Sequence, residues 1–390
     1  MRYFFSEKAV LKWLERPFVY HIRTDELYEL DEASFDFLKK CVTEEGCPDT
    51  EREFIDYCLR EGLLTARKTS VKHPPLIKSP VPSLRYLELQ ITDRCNLRCR
   101  HCYIDKRADG THPAAGGPEG SELSTDQIRQ ILTEFEEMQG LRVMITGGEP
   151  LLHSNFEALN DMLPDFLIRK VLFTNGLLLN KDLLCRLNVG EIQISIDGLE
   201  SGHDALRGTG TFKKAVNALR LAGERGFEVS VATMVHAKNL GEFEGMEKLF
   251  SELGIKDWTV DVPCRTGRLE HGSDFQVSPE VGGSYLRFGY GDGLHSGEKG
   301  YGCGLHLLSV MADGKVTKCT FYSDRPAGTV GEGLRRCWEK TAPVFLKDLA
   351  CDCAHLEACR GGCRYRAELM GDPLGKDLYK CFFYDILENK

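Results

Sequence analysis

Apolar and polar positions divide the chain into three stretches of different rhythm. Over residues 1 to about 66, the short β-like runs VYHIR and LYEL lead into DEASFDFLKKC and EREFIDYCLREGLL, where apolar residues recur at helical spacing. A compact β-then-α unit is expected there. The following ARKTSVKHPPLIKSPVPS is rich in proline and lacks apolar periodicity, so it reads as an extended linker with a domain boundary near residue 75. From residue 84 the pattern alternates. The strand candidates LRYLELQIT, RVMITGGEP, KVLFTNG, EIQISIDG, EVSVATMV and DWTVDVP are separated by helical stretches such as STDQIRQILTEFEEM and TFKKAVNALRLAGERG.

Strands alternating with helices predict right-handed βαβ crossovers and a parallel sheet curled into a full or partial barrel. Such sheets bind ligands at the C-terminal ends of their strands. CNLRCRHCY, GGEP, TNG and SIDG each follow a strand candidate directly, so they are expected to converge on one face. The segment KRADGTHPAAGGPEGSE interrupts the first strand-to-helix connection with glycine, proline and small polar residues, which predicts a mobile loop and a lid. After about residue 290 the periodicity fades and cysteines take over, around a short DGKV turn flanked by strand-like runs. A small metal-dependent domain is the expectation. The predicted units are 1–75, 84–290 and 291–390.

Composition changes this picture in two respects. A formal net charge of −9 argues against nucleic acid as a partner, because phosphate binding needs a concentrated basic surface. The N-terminal MRYFFSEKAVLKWLERPF is broken by Glu7, Lys8, Lys12, Glu15 and Arg16. It offers neither a signal-peptide core nor a membrane span, and the chain reads as cytoplasmic with no membrane partner.

Sixteen cysteines in 390 residues is the compositional outlier, and without a secretion signal it points to metal or redox chemistry more than to disulfides. Three fall in CNLRCRHCY. Seven more, Cys337 set aside, fall between 303 and 381. Cys41, Cys47, Cys58, Cys185 and Cys264 are scattered among apolar or helical patterns and read as buried structural thiols. The CxxxCxxC spacing of Cys95, Cys99 and Cys102 lets one tight loop present three thiolates to three corners of a cuboidal iron–sulfur cluster, leaving the fourth iron open to chelate a small molecule. A structural zinc site would need a fourth ligand, and His101 is poorly placed beside Cys102 to bind the same ion. The seven cysteines around CDCAHLEACRGGC exceed what one zinc ion needs and suggest two metal centres.

With CxxxCxxC after the first strand of an alternating pattern, the chain resembles the radical S-adenosylmethionine (SAM) superfamily over residues 84 to about 265. The resemblance implies an α/β fold with a partial (β/α)6 TIM-like barrel, flanked by a small N-terminal α+β winged-helix-like domain and a C-terminal cysteine-rich iron–sulfur domain. It implies a 4Fe-4S cluster on Cys95, Cys99 and Cys102 that cleaves SAM to a 5'-deoxyadenosyl radical. His101 stands where the family commonly has an aromatic residue, and Tyr103 is expected near the adenine. Gly147, Gly148, Glu149 and Pro150 match the GGEP element that holds the methionine amino group. Ser195 and Asp197 fall where the family contacts ribose or the methionine carboxylate, and Arg207 fits the arginine pairing with that carboxylate. Thr174 and Asn175 are expected on the same face, with Met234 and Val235 against the adenine.

The C-terminal stretch is similar to the auxiliary-cluster extension called the SPASM domain. Gly314 and Cys319 keep its spacing, as do Cys353, Cys359 and Cys363, while Cys351 departs from it, CDC replacing CxxC. By resemblance Cys351, Cys353, Cys359 and Cys381 hold an outer auxiliary iron–sulfur cluster, with Asp352 as a substitute for Cys351, and Cys303, Cys319 and Cys363 hold an inner one. The family's fourth inner cysteine, expected shortly before Cys303, is missing. That iron is left open, or is ligated by His295 or another non-cysteine group, or is capped by Cys337. The N-terminal unit looks like the small winged-helix peptide-recognition element of peptide-modifying radical enzymes; the alternative is a structural or dimerising appendage.

The expected function is therefore maturation of a peptide or protein substrate, with a leader sequence, by crosslinking, thioether formation or oxidation. A reducing donor such as flavodoxin or ferredoxin is the implied electron source. The enzyme alternative is a maturase of a small cofactor, a modified haem or metal-pterin. The non-enzyme alternative is an iron–sulfur electron carrier or zinc-ribbon scaffold, against which GGEP, SIDG and Arg207 weigh, since a carrier needs no methionine pocket. The sequence names no catalytic acid or base; Tyr301, His306 and Tyr365 lie near cluster cysteines and read equally as packing.

Overall fold

A computed structural model describes residues 2–43, 45–48, 50–69, 71–104, 120–270, 272–295 and 297–387. The N-terminal unit runs β1 (Arg2–Phe5), β2 (Ala9–Trp13), β3 (Pro17–His21), β4 (Glu26–Glu29), α1 (Glu32–Cys41), β5 (Cys47–Pro48), α2 (Arg52–Arg60) and β6 (Leu64–Thr65). The two strands and helix expected from VYHIR, LYEL and DEASFDFLKKC are β3, β4 and α1, the helix starting where the Asp31 carboxylate accepts from Ser34 N. β1 and β2, which the charged N-terminus masked, complete two small antiparallel sheets, β5-β1-β6 and β2-β3-β4. Phe5, Val19, Leu38 and Ile55 fill a separate core between them. Cys41 and Cys47, expected as free thiols, form a disulfide with a Cα separation of 4.6 Å.

The barrel strands are β7 (Tyr86–Gln90), β8 (Arg142–Thr146), β9 (Arg169–Thr174), β10 (Glu191–Ser195), β11 (Glu228–Met234) and β12 (Asp257–Asp261). Between them lie α3 (Thr125–Glu137), α4 (Phe156–Met162), α5 (Lys181–Leu184), α6 (Glu200–Arg207), α7 (Thr211–Glu224) and α8 (Phe243–Glu252). All six strands pair in parallel and in chain order. Helix α3 shows why the periodicity was readable: a Ser124/Gln127 capping box starts it, and Ile128, Ile131, Leu132 and Phe135 bury one face. Ile192, Ile194, Val231 and Trp258 belong to the same large core.

After α9 (Pro279–Tyr285) the chain returns to the sheet. β13 (Leu307–Val310) pairs in parallel with β7, and β14 (Lys315–Thr317) and β15 (Gly328–Thr329) follow antiparallel, giving a nine-stranded sheet, β12-β11-β10-β9-β8-β7-β13-β14-β15. The DGKV turn is thus not the centre of an isolated module; its hairpin extends the barrel sheet. Short helices α10 (Leu334–Lys340), α11 (Leu356–Cys359), α12 (Arg364–Leu369) and α13 (Leu378–Phe383) complete the chain. The lid expectation concerns residues 106–122, of which 106–119 lie outside the described residues. Among the described residues no helix is long and apolar enough to cross a membrane.

The N-terminal unit is docked at the N-terminal ends of the barrel strands. Val10, Leu14 and Tyr20 pack on Leu141 and Leu167, Arg85 pairs with Glu15 at 2.8 Å, and Arg169 donates to Arg23 O at 2.6 Å. The linker is pinned as well, Ser79 N donating to Trp13 O at 2.8 Å and Ser79 Oγ to Met138 O at 3.1 Å. Lys12, fully buried in this interface, donates to Gly140 O at 2.7 Å, and burial lowers its amine from 10.5 to about 8. The unfolded chain therefore protonates first as pH falls, so this lysine's contribution to stability declines from about pH 10.5 to 8. We expect Lys12→Met to remove a rise in stability of about 3 kcal/mol over that window. Parallel denaturant titrations of the two proteins at pH 8 and 10 check it; equal slopes would refute it.

Candidate active site

At the opposite, C-terminal ends of the strands lies a cavity of about 670 Å³. Cys95, Cys99 and Cys102 enter it from the loop after β7, and all three are free thiols. That loop is held by backbone bonds: Cys102 N donates to Cys99 O at 3.3 Å, Arg100 N to Leu206 O at 2.9 Å, and Arg268 N to Cys102 O at 3.0 Å. The GGEP turn after β8 lies directly on it, with Gly148 N donating to Thr92 O at 2.8 Å and Glu149 N to Arg94 O at 2.7 Å. Here the glycines are required by contact. A Cβ on Gly147 would meet Thr92 O at 2.4 Å, one on Gly148 would meet Arg94 O at 2.4 Å, and Gly147 has φ +153°.

The structure separates the GGEP and SIDG residues into wall and brace. Gly147 and Gly148 line the cavity with Thr174, Asn175, Ser195, Met234 and Arg207. Glu149 is fully buried and ties GGEP to TNG, its carboxylate accepting from Thr174 Oγ1 at 2.8 Å and Asn175 N at 2.9 Å. Burial pushes that carboxyl up to about 7 against these bonds. Pro150 opens a 3-10 turn. Asp197, also fully buried, accepts from Arg207 Nε and from Met234 N at 2.7 Å. Burial alone would raise its carboxyl, but the Arg207 guanidinium holds it well below the usual carboxylate range. Arg207 in turn reaches Cys99 Sγ at 3.9 Å, placing a positive charge beside the thiols. Val235 sits in the barrel core behind the wall. Tyr103 lines the cavity, its ring 5.1 Å from Phe321.

The far wall is the second cysteine cluster. Cys303, Cys319 and Cys363 neighbour one another, and Cys351, Cys353, Cys359 and Cys381 form a second set in which each neighbours two of the others. Cys351 therefore keeps company with its set in spite of the shortened CDC, and Asp352 points to solvent as an exposed side chain. Two of the caps expected for the inner centre are engaged elsewhere. Cys337 is buried in the core with its thiol donating to Thr329 O at 3.5 Å. Both ring nitrogens of His295 are taken, at 2.9 Å by Tyr86 OH and at 2.6 Å by Asp25 O. His306 is held by Ser83 O at 2.6 Å, and the rings of Tyr301 and Tyr365 pack on Phe345 and Phe321.

Two residues were missed by the sequence reading. Glu88, on β7, faces the cavity, accepts from Ser309 Oγ at 3.0 Å, and is pushed by burial up to about 7. Only its polar position in YLELQ hints at it. Cys264, read as a structural thiol, also lines the cavity; Cys185 is exposed instead of buried.

The donor set fits iron–sulfur groups. Among the described residues no three His, Cys, Asp or Glu side chains close round one ion; the thiols instead ring a shared space, as the separated corners of a cuboidal cluster require. Buried Nδ1 of His101 has no hydrogen-bond partner in this wall.

Residues 89–250 match the sequence model of the Radical SAM superfamily. The chain is 29% identical over 334 residues to the mycofactocin maturase MftC of Mycobacterium ulcerans, covering 74% of this chain and 85% of that protein. It is 27% identical over 210 residues to the AdoMet-dependent heme synthase of Nitratidesulfovibrio vulgaris, 53% of this chain and 55% of the relative. Its fold is that of Streptococcus suis SuiB, solved bound to the precursor peptide SuiA, with a TM-score of 0.69, 15% identity, and 97% and 100% of the two chains covered.

Proposed function

As this chain belongs to the radical SAM superfamily and carries a radical SAM domain, we propose that it matures a peptide, abstracting hydrogen from a residue held between two cysteine-lined walls. One observation carries this reading: a single cavity in which Cys95, Cys99 and Cys102 face Cys303, Cys319 and Cys363. Cys95, Cys99 and Cys102 would hold the 4Fe-4S cluster, and Gly147, Gly148, Thr174, Asn175, Ser195, Met234 and Arg207 would border SAM. When bound, that pair supplies a 5'-deoxyadenosyl radical by one-electron cleavage of the sulfonium. Arg207, oriented by Asp197, would pair with the methionine carboxylate. Glu88 is placed to take or give a proton near neutral pH. Electrons would come from a low-potential donor of the flavodoxin or ferredoxin type.

The N-terminal unit supports a peptide substrate. β4 ends its sheet, and a cleft of about 170 Å³ between it, α1 and α2 is lined by Tyr28, Leu30, Leu38 and Phe54, the setting for a peptide to add as a strand. Because the unit sits at the strand N-terminal ends, the leader must climb the barrel. A five-residue strand rises about 17 Å, so at least about five extended residues would separate docking segment from target.

The test is anaerobic incubation of reconstituted enzyme with dithionite, SAM and any short peptide found to be encoded beside its gene. Formation of 5'-deoxyadenosine with a peptide mass change is expected. Conversion of a tetrapyrrole in place of the peptide would favour the small-cofactor reading that the haem synthase similarity raises. Glu88→Gln is expected to keep 5'-deoxyadenosine formation while lowering peptide product at least about tenfold; equal product would exclude Glu88.

A further inference from the structure

Resting on the reading that the C-terminal cysteines hold iron–sulfur clusters, we propose that Cys264 is the fourth thiolate of the inner cluster, with Cys303, Cys319 and Cys363. Cys264 follows β12, far from the other three in sequence, yet its thiol lies beside that of Cys363. It lines the same cavity as Cys303, Cys319 and Cys363 and is itself 5% exposed.

The contact is built on both sides. The residues after Cys363 clamp the residues around Cys264: Arg366 Nη1 donates to Val262 O at 3.2 Å and pairs with Asp261, while Tyr365 OH bonds Thr266 Oγ1 at 3.3 Å. Arg366 is fixed from behind by Asp377, whose carboxylate also accepts from Cys363 N at 2.8 Å. The clamp therefore spans Cys264 from both neighbours and holds Cys363 by its own backbone. A structural thiol needs no such frame. Ligation would release the thiol proton to solvent and leave the iron bound by sulfur, completing the position that Cys337 and His295 cannot fill.

Chemically, four protein thiolates leave no open iron on the inner cluster. It would then pass electrons to or from the substrate and not chelate it.

The test uses full-length, anaerobically reconstituted protein in which Cys95, Cys99 and Cys102 are alanine, so that only auxiliary clusters report. Iron content, Mössbauer and EPR spectra are compared for this parent, Cys264→Ala, Cys264→Ser and Cys303→Ala. Cys264→Ala is expected to lose about one iron per chain and to show a 3Fe-4S signal on mild oxidation. Cys264→Ser, retaining a weaker oxygen ligand, is expected to keep the iron with an altered spectrum. Spectra and iron unchanged in both Cys264 variants, with Cys303→Ala losing the inner cluster, would overturn the proposal alone. Unchanged spectra in Cys303→Ala as well would mean that no inner cluster forms, and the underlying reading would fail. Alkylation of Cys264 as a free thiol in the folded, loaded parent would also overturn it.

Discussion

Replacing Cys95, Cys99 and Cys102 together by alanine is expected to abolish 5'-deoxyadenosine formation and to remove about four irons per chain, with the fold preserved. The loop's shape does not depend on the sulfurs. Its backbone is held by Leu206 O, by the Cys102 N to Cys99 O bond, and by Arg268 N on Cys102 O. The thiols face a cavity, so their loss removes few packing contacts. Burial pushes the Cys95 thiol up to about 12, so in the empty protein it carries a proton and repels nothing; only iron makes it a thiolate. Product assay by chromatography, iron determination and far-ultraviolet circular dichroism on the same preparation check this. Residual SAM cleavage at a tenth of the parental rate in the triple variant would place the radical source elsewhere.

Asp197→Ala is expected to destabilise the protein by about 3–5 kcal/mol and to weaken SAM binding, though Asp197 itself is walled off from the cavity. Asp197 is fully buried, and its partner Arg207 has a side chain 11% exposed, so removing the carboxylate strands a guanidinium out of water. The same carboxylate accepts from Met234 N at 2.7 Å, fixing the SIDG turn against the end of β11, whereas the Asp197 backbone carbonyl, which accepts from Asn239 Nδ2 at 2.8 Å, is kept in the variant. Asp197→Asn keeps shape and backbone acceptor but lacks the charge, so it should lose less stability while still lowering SAM affinity, because Arg207 is no longer oriented. Denaturant unfolding with equilibrium SAM binding separates the two effects. A loss under about 1 kcal/mol in the alanine variant would show that water, not Asp197, satisfies Arg207.

The barrel was legible because parallel strands and amphipathic helices advertise themselves locally. RVMIT, EIQIS and EVSVATM are short apolar runs closed by turn residues, and α3 repeats its apolar positions over a single face. The extension of the sheet by β13 was not legible. LLSV is too short to distinguish a hairpin in its own module from one paired to β7 across most of the chain. The N-terminal strands β1 and β2 were hidden by charges such as Lys12, which the interface buries by giving it the Gly140 carbonyl.

By itself the sequence determined the CxxxCxxC loop proposed to generate the radical, since its three thiols lie within one turn-forming stretch whose spacing is its geometry. It also determined the strand-end motifs, because each is local to the strand it ends. Tertiary structure alone decided which residues act together across the cavity: Glu149 bracing TNG, Asp197 orienting Arg207, Glu88 facing the space, and Cys264 meeting Cys363. Those pairings join segments remote in the chain. The energy that brings them together is the burial of the shared core, and the buried ion pairs fix their mutual positions; no local spacing encodes either.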